Sequence, residues 1–258
     1  MNNRITVLTY NVHKCRGMDA RVNPARIVNV LREIDADVIA LQEVLGSHED
    51  AGQDQAKFIA QELGFDVHFG ENRRLNGGAY GNLLLSRFPL RAVRNHNIST
   101  EGREERGCLR ADLDLGGTTL HVFNVHLGTG FFERRQQAGK LVSPEILHDP
   151  ELRGARIVLG DFNEWTRGKT SQMLGQNFEK VDVQTHLGRS RTYPGLFPLL
   201  HLDHIYFDPA LKMRRLSLHK SRAALLASDH LPLIAEFELE PSSAAPPNPA
   251  EAYELARQ

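Results

Sequence analysis

Apolar residues in this chain gather in short runs rich in Val, Ile and Leu, broken by Gly, Pro, Asn or Asp. Such runs read as buried strands. They fall at residues 5–10, 38–44, 83–85, 109–115, 120–125, 157–160, 202–207 and 231–239. A helical rhythm shows at two places. Asn23-Pro24 supplies a cap and a first-turn proline, and Ile27, Val30, Leu31 and Ile34 then share one face. Residues 53–63 read as a second helix, stopped by Gly64. Many strands and few helices predict an α/β fold of two packed sheets with helices outside. No internal repeat is visible.

Composition adds boundaries. Residues 241–249 are rich in Pro, Ser and Ala, which predicts a loose tail, and residues 250–258 are compatible with a short helix. The chain is therefore expected to be one domain, 1–240, with a tail, 241–258. Lys+Arg 31 against Asp+Glu 32 gives a net charge of −1, which excludes a protein that coats nucleic acid by bulk charge and leaves room for a local basic rim. Two cysteines, Cys15 and Cys108, are too few for a disulfide framework; they read as small buried hydrophobes in a reducing compartment. No apolar run approaches the roughly 20 residues of a membrane span. The first residues read as a strand and not as a leader, so the default expectation is cytoplasmic.

The chemistry-bearing residues share one placement, at the ends of apolar runs. Asn11 follows residues 5–10, Glu43 closes 38–41, and His126 follows 122–125. Asp161 and Asn163 follow 157–160, Asp203 opens another run, and Asp229-His230 precedes the last. Strand ends can aim side chains at one spot from rigid supports. Carboxylate and amide oxygens suit Mg²⁺ or Mn²⁺, and no Cys/His pairs occur at zinc spacing. Histidines beside such oxygens, with an activated water, form a kit for phosphoryl transfer to water. Singly, each piece has an ordinary reading: a solvated Glu cap, a structural His, an Asx-turn at Asp-Phe-Asn. Their coincidence is what points to a site.

In order, Thr9-Tyr10-Asn11-Val12-His13, Ala40-Leu41-Gln42-Glu43-Val44, Asn124-Val125-His126-Leu127-Gly128, Gly160-Asp161-Phe162-Asn163, Leu202-Asp203-His204-Ile205-Tyr206 and Ser228-Asp229-His230-Leu231-Pro232-Leu233 resemble the motifs of the endonuclease/exonuclease/phosphatase, or DNase I-like, superfamily. The resemblance spans residues 6 to about 238. His13-Lys14-Cys15-Arg16-Gly17 and residues 103–108 look like a separate bacterial branch. The resemblance implies a four-layer α/β sandwich, two packed and mostly antiparallel sheets flanked by helices, with the site at one rim. It implies a Mg²⁺- or Mn²⁺-dependent phosphoesterase, most simply a phosphodiesterase. Glu43 would be the principal metal ligand, with Asn11 close by and Asp229 on the far side. Asp161 would position or deprotonate the attacking water, and Asn163 would orient water and phosphate. His126 and His230 would hold phosphate oxygens, and Asp203 would fix the tautomer of His230. The choice of Asp or His as base stays open. His13 stands where some nuclease members carry Asp, so a second carboxylate-bound metal is not implied.

Nucleic acid is the first expected substrate, with Arg167, Lys169, Arg189 and Arg191 as a candidate basic rim against the reading of a solvated mixed surface. A phospholipid or sphingolipid head group is the alternative, suggested by apolar loops at Phe131-Phe132 and residues 196–200. A catalytically silent binding module is a third reading, opposed by the intact motif set. Arg106 reads either as a phosphate clamp or as an ion-pair partner of Glu104 or Glu105. Trp165 reads as core filling or as a stacking platform, and His13 as a site-lining or a plain loop residue.

Overall fold

The structure is a computed structural model in which residues 4–46, 54–75, 77–164, 168–176, 178–180, 192–194 and 200–239 are described. Its strands are β1 (Arg4–Asn11), β2 (Val38–Gly46), β3 (Asp66–Leu75), β4 (Gly78–Ser86), β5 (Leu90–Asn97), β6 (Gly107–Asp114), β7 (Thr119–His126), β8 (Ala155–Asp161), β9 (Glu179–Lys180), β10 (Asp203–Phe207), β11 (Lys212–Leu218) and β12 (Leu233–Glu238). Its helices are α1 (Pro24–Ile34), α2 (Gln55–Leu63), α3 (Phe131–Leu141), α4 (Lys169–Leu174) and α5 (Arg222–Ala227), with a 3-10 turn at His13–Cys15.

The strands form two sheets, β11-β12-β1-β2-β4-β3 and β5-β6-β7-β8-β10-β9. Each has one parallel pair, β1 with β2 and β7 with β8, and is otherwise antiparallel. The two sheets thus repeat one pairing pattern that leaves no trace as a sequence repeat. The parallel pairs end together: Asn11 is level with Gln42, and His126 with Asp161.

Side-chain alternation along each strand builds the layers. Ile5 and Val7 of β1 join Val38, Ala40, Ala111, Val122, Ile157 and Phe237 in the core between the sheets. Leu8 and Tyr10, on the opposite face, pack with Ile27, Val30 and Leu31 of α1, Ile59 of α2 and Ala224 of α5. On the outer face of the second sheet, Phe123, Val158 and Tyr206 pack with Leu141 of α3 and Leu174 of α4. The order helices, sheet, sheet, helices is the expected four-layer sandwich. Burial on both faces explains the near-continuous apolar strands.

Both predicted helices form. The Asn23 side chain accepts a hydrogen bond from the Ala25 amide ahead of Pro24, and Asp54 caps α2 two residues beyond the expected start. Four strands escape the sequence reading: β3, β5, β9 and β11. All four lie at sheet edges and carry exposed charged residues, as edge strands do to resist pairing with other chains. A correction applies to Phe131-Phe132, expected in an apolar loop. They begin α3, whose first turn is closed by Glu133 accepting from the Gly130 amide. Cys15 and Cys108 are buried and unpaired, as expected. Among the described residues no helix is long and apolar enough to cross a membrane. The expected tail, Trp165, Arg167, Arg189, Arg191 and residues 196–199 lie outside the described residues.

Candidate active site

The site lies where the two parallel strand pairs end. Beneath it a polar link ties the sheets. Gln42 Nε2 donates to Thr9 Oγ1 at 3.1 Å and to Asn124 Oδ1 at 2.8 Å. Asn124 Nδ2 in turn donates to the carbonyls of Leu41 and Leu83, both at 2.9 Å. All these groups are buried, so each bond is costly to lose.

Glu43 is delivered by a β-bulge. The pairing of β2 with β4 slips between Leu41 and Val44, and Glu43 takes a left-handed backbone at φ 58°. The bulge turns Gln42 into the core and Glu43 toward the rim. Glu43 Oε1 accepts from Asn11 Nδ2 at 3.2 Å, and Oε2 accepts from the Lys14 ammonium. Burial raises its carboxyl pKa, but His126 in its protonated form, the Lys14 ammonium and the Asn11 amide outweigh that and hold it at about 2. Glu43 is thus a firmly ionised carboxylate.

Asp161 sits at the end of β8. Gly160 before it is required: a Cβ there would meet the Val125 carbonyl oxygen at 1.9 Å, and φ is 151°. Phe162 turns into the outer core, and Asn163 closes the turn at φ 50° by donating its amide to Asp161 Oδ1 at 2.9 Å. The Asn163 side chain donates to the Leu127 carbonyl at 2.9 Å, tying this turn to the end of β7. Asp161 Oδ2 accepts from Asn11 Nδ2 at 3.0 Å. Nε2 of His126 and Nε2 of His230 each stand 3.7 Å from that same oxygen. That spacing is beyond a direct hydrogen bond. Burial raises the Asp161 carboxyl above the ordinary range, against the pull of both imidazoles.

The two histidines differ. Burial and the Arg106 guanidinium lower His126 to about 4. Arg106 Nη1 stands 3.0 Å from His126 Nδ1 and 3.4 Å from Nε2; a guanidinium can only donate, so the shorter contact makes Nδ1 the acceptor in the tautomer with its proton on Nε2, the nitrogen nearer Asp161. His230 is also buried, yet Asp203 and Asp161 raise it to about 10. Its Nδ1 donates to Asp203 Oδ2 at 3.0 Å. Asp203 stands level with Asp161 in the β8–β10 register. Ser228 holds the last motif in place, donating to the Asn11 carbonyl at 2.8 Å and accepting from the His230 amide at 3.3 Å.

The sequence-derived set therefore converges, with differences in role. Asn11 bridges Glu43 and Asp161 through its NH₂, while its Oδ1 accepts from the His13 amide at 3.0 Å. It offers the carboxylates a donor and not a lone pair. Asp229 Oδ1 lies 3.4 Å from His13 Nδ1, which brings these two residues together. Arg106 pairs with Glu104 at 3.3 Å, the ion-pair alternative of the sequence reading, and also meets His126. Lys169 is an exposed residue at the start of α4.

Lys14 and Tyr193 were not anticipated. The Tyr193 ring lies 4.9 Å from that of His230. Lys14 sits in a turn where His13, Lys14 and Cys15 have φ of 46°, 57° and 55°. A left-handed conformation costs an L-residue roughly 1–2 kcal/mol. Such strain persists only where the surroundings impose it. Here Gln55 Nε2 donates to the Lys14 carbonyl at 2.7 Å, Asn23 N donates to the Cys15 carbonyl at 2.8 Å, and the Cys15 side chain is buried. No sequence signal marks this turn, because Lys and Cys carry no left-handed preference and His13 alone does not announce a run of three such residues.

The family profile described as Endonuclease/Exonuclease/phosphatase family matches residues 8–230. The chain is 32% identical over 245 residues to the uncharacterized protein YbhP of Escherichia coli strain K12, covering 90% of this chain and 96% of that protein. Among solved structures it resembles an endonuclease/exonuclease/phosphatase from Bacteroides vulgatus, with a TM-score of 0.74 at 19% identity, covering 92% of this chain and 99% of that one. It also resembles a mannosyl-6-phosphatase of Bacteroides thetaiotaomicron, with a TM-score of 0.73 at 17% identity, covering 90% and 99%. The family match takes in every strand end described above, and the chain is a member of the endonuclease/exonuclease/phosphatase family.

Proposed function

We propose that this protein is a divalent-metal-dependent phosphodiester hydrolase working at the rim that joins Glu43, Asp161, His126 and His230. One observation carries the reading. A buried carboxylate oxygen of Asp161 stands 3.7 Å from two imidazoles, one held neutral and one held charged, beside an ionised Glu43. Family membership supports hydrolysis of phosphoesters at the coarser level.

The donor chemistry fits Mg²⁺ or Mn²⁺. Among the described residues no group of three or more His, Cys, Asp or Glu is spaced to cage an ion. Mg²⁺ asks for less, since it keeps several waters and takes one or two carboxylates. Glu43 supplies an ionised oxygen that already holds a cationic group, Lys14. Glu43 would be the principal ligand, and Asp229 would face the ion from across the rim. Asn11 would serve as a strut between the two central carboxylates. When bound, the ion supplies Lewis-acid polarisation of a phosphoryl oxygen.

The chain's own groups divide the remaining work. Asp161, raised by burial, accepts the proton of the attacking water at Oδ2. Asn11 and the Asn163 amide hold that carboxylate in place. His230, charged through Asp203, donates from Nε2 to a phosphate oxygen. His126 donates from Nε2, its tautomer set by Arg106 at Nδ1. The whole set recognises a phosphate and little else, so substrate choice rests on the surroundings.

Nucleic acid is the substrate class we favour, with Lys169 part of the cationic edge. One observation favours a phospholipid instead. Phe131 and Phe132 are 52% and 75% exposed, edge to face at 5.4 Å, and follow by five and six residues the strand end that carries His126. A product assay separates the two: plasmid DNA, single-stranded DNA, RNA, sphingomyelin vesicles and inositol phosphates, each with Mg²⁺ and with EDTA, and with Asp161→Asn as control. Cleavage of a nucleic acid that needs both the ion and Asp161 supports the reading. Activity confined to vesicles moves the substrate to lipid, and turnover of monoesters alone overturns the phosphodiesterase assignment.

A further inference from the structure

Both oxygens of Glu43 already have donors, and the two donors differ in freedom. Asn11 is buried and its amide is held at three points, by Glu43, Asp161 and the His13 amide. The Lys14 side chain is 30% exposed and ends in a rotatable ammonium on a four-carbon stem. A divalent ion that takes Glu43 must therefore enter on the Oε2 side, where Lys14 sits. Two cations at one carboxylate oxygen repel each other.

The backbone beneath Lys14 is fixed. Its carbonyl accepts from Gln55 Nε2 at 2.7 Å, the Cys15 amide donates to the Val12 carbonyl at 2.7 Å, and the Arg16 amide donates to the His13 carbonyl at 2.9 Å. Any movement of Lys14 is a swing of the side chain about a stationary Cα. While it holds Glu43, the Lys14 ammonium also lies 5.9 Å from the centroid of the Tyr80 ring, which the Arg73 guanidinium shares at 4.8 Å. The strained turn thus places a mobile monocation at the one carboxylate a divalent ion needs.

We propose that Lys14 is a resident cation that competes with the divalent ion for Glu43 and, once displaced, stays within reach as an additional ligand for the substrate's phosphate. This rests on the metal-dependent reading given above. It makes Lys14 a positioning and specificity residue that trades metal affinity for phosphate affinity.

The test is calorimetric titration of chelator-treated, desalted protein with Mn²⁺ alone, for wild type, Lys14→Met, Lys14→Arg and Glu43→Gln, paired with kinetics on bis(p-nitrophenyl) phosphate at saturating Mn²⁺. Lys14→Met is expected to bind Mn²⁺ on the order of tenfold tighter, a change set by loss of one competing charge. Its KM should rise by a similar factor, with kcat much less affected. Lys14→Arg, which keeps the charge, should keep the weaker affinity. Thermal melts confirm folding, and Lys14→Gln stands in if the Met variant does not fold. Equal or weaker Mn²⁺ binding by Lys14→Met or Lys14→Gln, with Glu43→Gln clearly impaired, overturns the competition alone. Equal binding by wild type and Glu43→Gln overturns the metal site itself, and this inference with it.

Discussion

Removing the charge on Asp203 tests how the site sets its two histidines apart. Asp203 is fully buried and its Oδ2 holds His230 Nδ1 at 3.0 Å. The imidazolium is favoured up to about 10, against an ordinary 6.5, although burial acts the other way. That gap corresponds to roughly 5 kcal/mol of preference for the charged ring, shared among Asp203, Asp161 and Asp229. Asp203 is the largest of the three contributors and the one in hydrogen-bond contact. Assigning it half gives roughly 2–3 kcal/mol, equivalent to a displacement of the alkaline limb of activity by about two pH units. Asp203→Asn keeps the shape and an acceptor but loses the charge. Since the protonated ring is the donor, wild type should hold its activity into the alkaline range. The Asn variant should lose it as pH rises through a much lower value. The assay is kcat/KM for bis(p-nitrophenyl) phosphate with Mg²⁺ across pH 5.5–9. An unchanged rate and an unchanged alkaline limb would refute the pairing of His230 with Asp203.

Other consequences are equally concrete. Asp161→Asn should leave Mn²⁺ binding within a few-fold of wild type while hydrolysis falls roughly 10²–10⁴-fold, measured by calorimetry and turnover on one preparation. Phe131→Ser with Phe132→Ser should change DNA cleavage only modestly and should abolish any vesicle hydrolysis; loss of DNA cleavage would move the Phe pair into nucleic-acid recognition. Asp112, far from the site, is paired with Arg110 at 2.6 and 2.8 Å and with His121 at 2.7 Å, and these partners lower its pKa against the effect of burial. Its contribution to stability is therefore complete above the ordinary carboxylate range and lost as pH falls through its lowered value. Asp112→Asn should destabilise by about 3 kcal/mol at pH 7, with the difference shrinking toward pH 2 in urea unfolding curves.

Much of this was legible in the chain because buried strands and their polar ends follow one local rule. The runs that became β1, β2, β7, β8 and β10 are largely apolar on both faces, those of β6 and β12 alternate apolar with charged residues, and the residues closing or flanking several of them are those that meet at the rim. Gly160-Asp161-Phe162-Asn163 could be read almost atom by atom, since each residue meets a separate local demand: close approach, carboxylate, core plug, left-handed turn. The edge strands β3, β5, β9 and β11 were hidden because charge is what an edge needs, and charge masks the strand pattern. The start of α3 was hidden by Gly130, whose cap is made by Glu133 and not by its own side chain. Lys14 was hidden for a different reason. Its place depends on Gln55, Asn23 and the bulge at Glu43, contacts that no local window contains.

The most direct measurement is hydrolysis of bis(p-nitrophenyl) phosphate by wild type and Glu43→Gln, with Mg²⁺ and with EDTA, alongside Mn²⁺ titration of both proteins. The account predicts turnover by wild type that EDTA abolishes and Mg²⁺ restores. It also predicts a Glu43→Gln protein that melts like wild type, binds Mn²⁺ much more weakly and loses turnover by orders of magnitude. Equal Mn²⁺ affinity and equal rates in the two proteins, or wild-type turnover that survives EDTA, would contradict it.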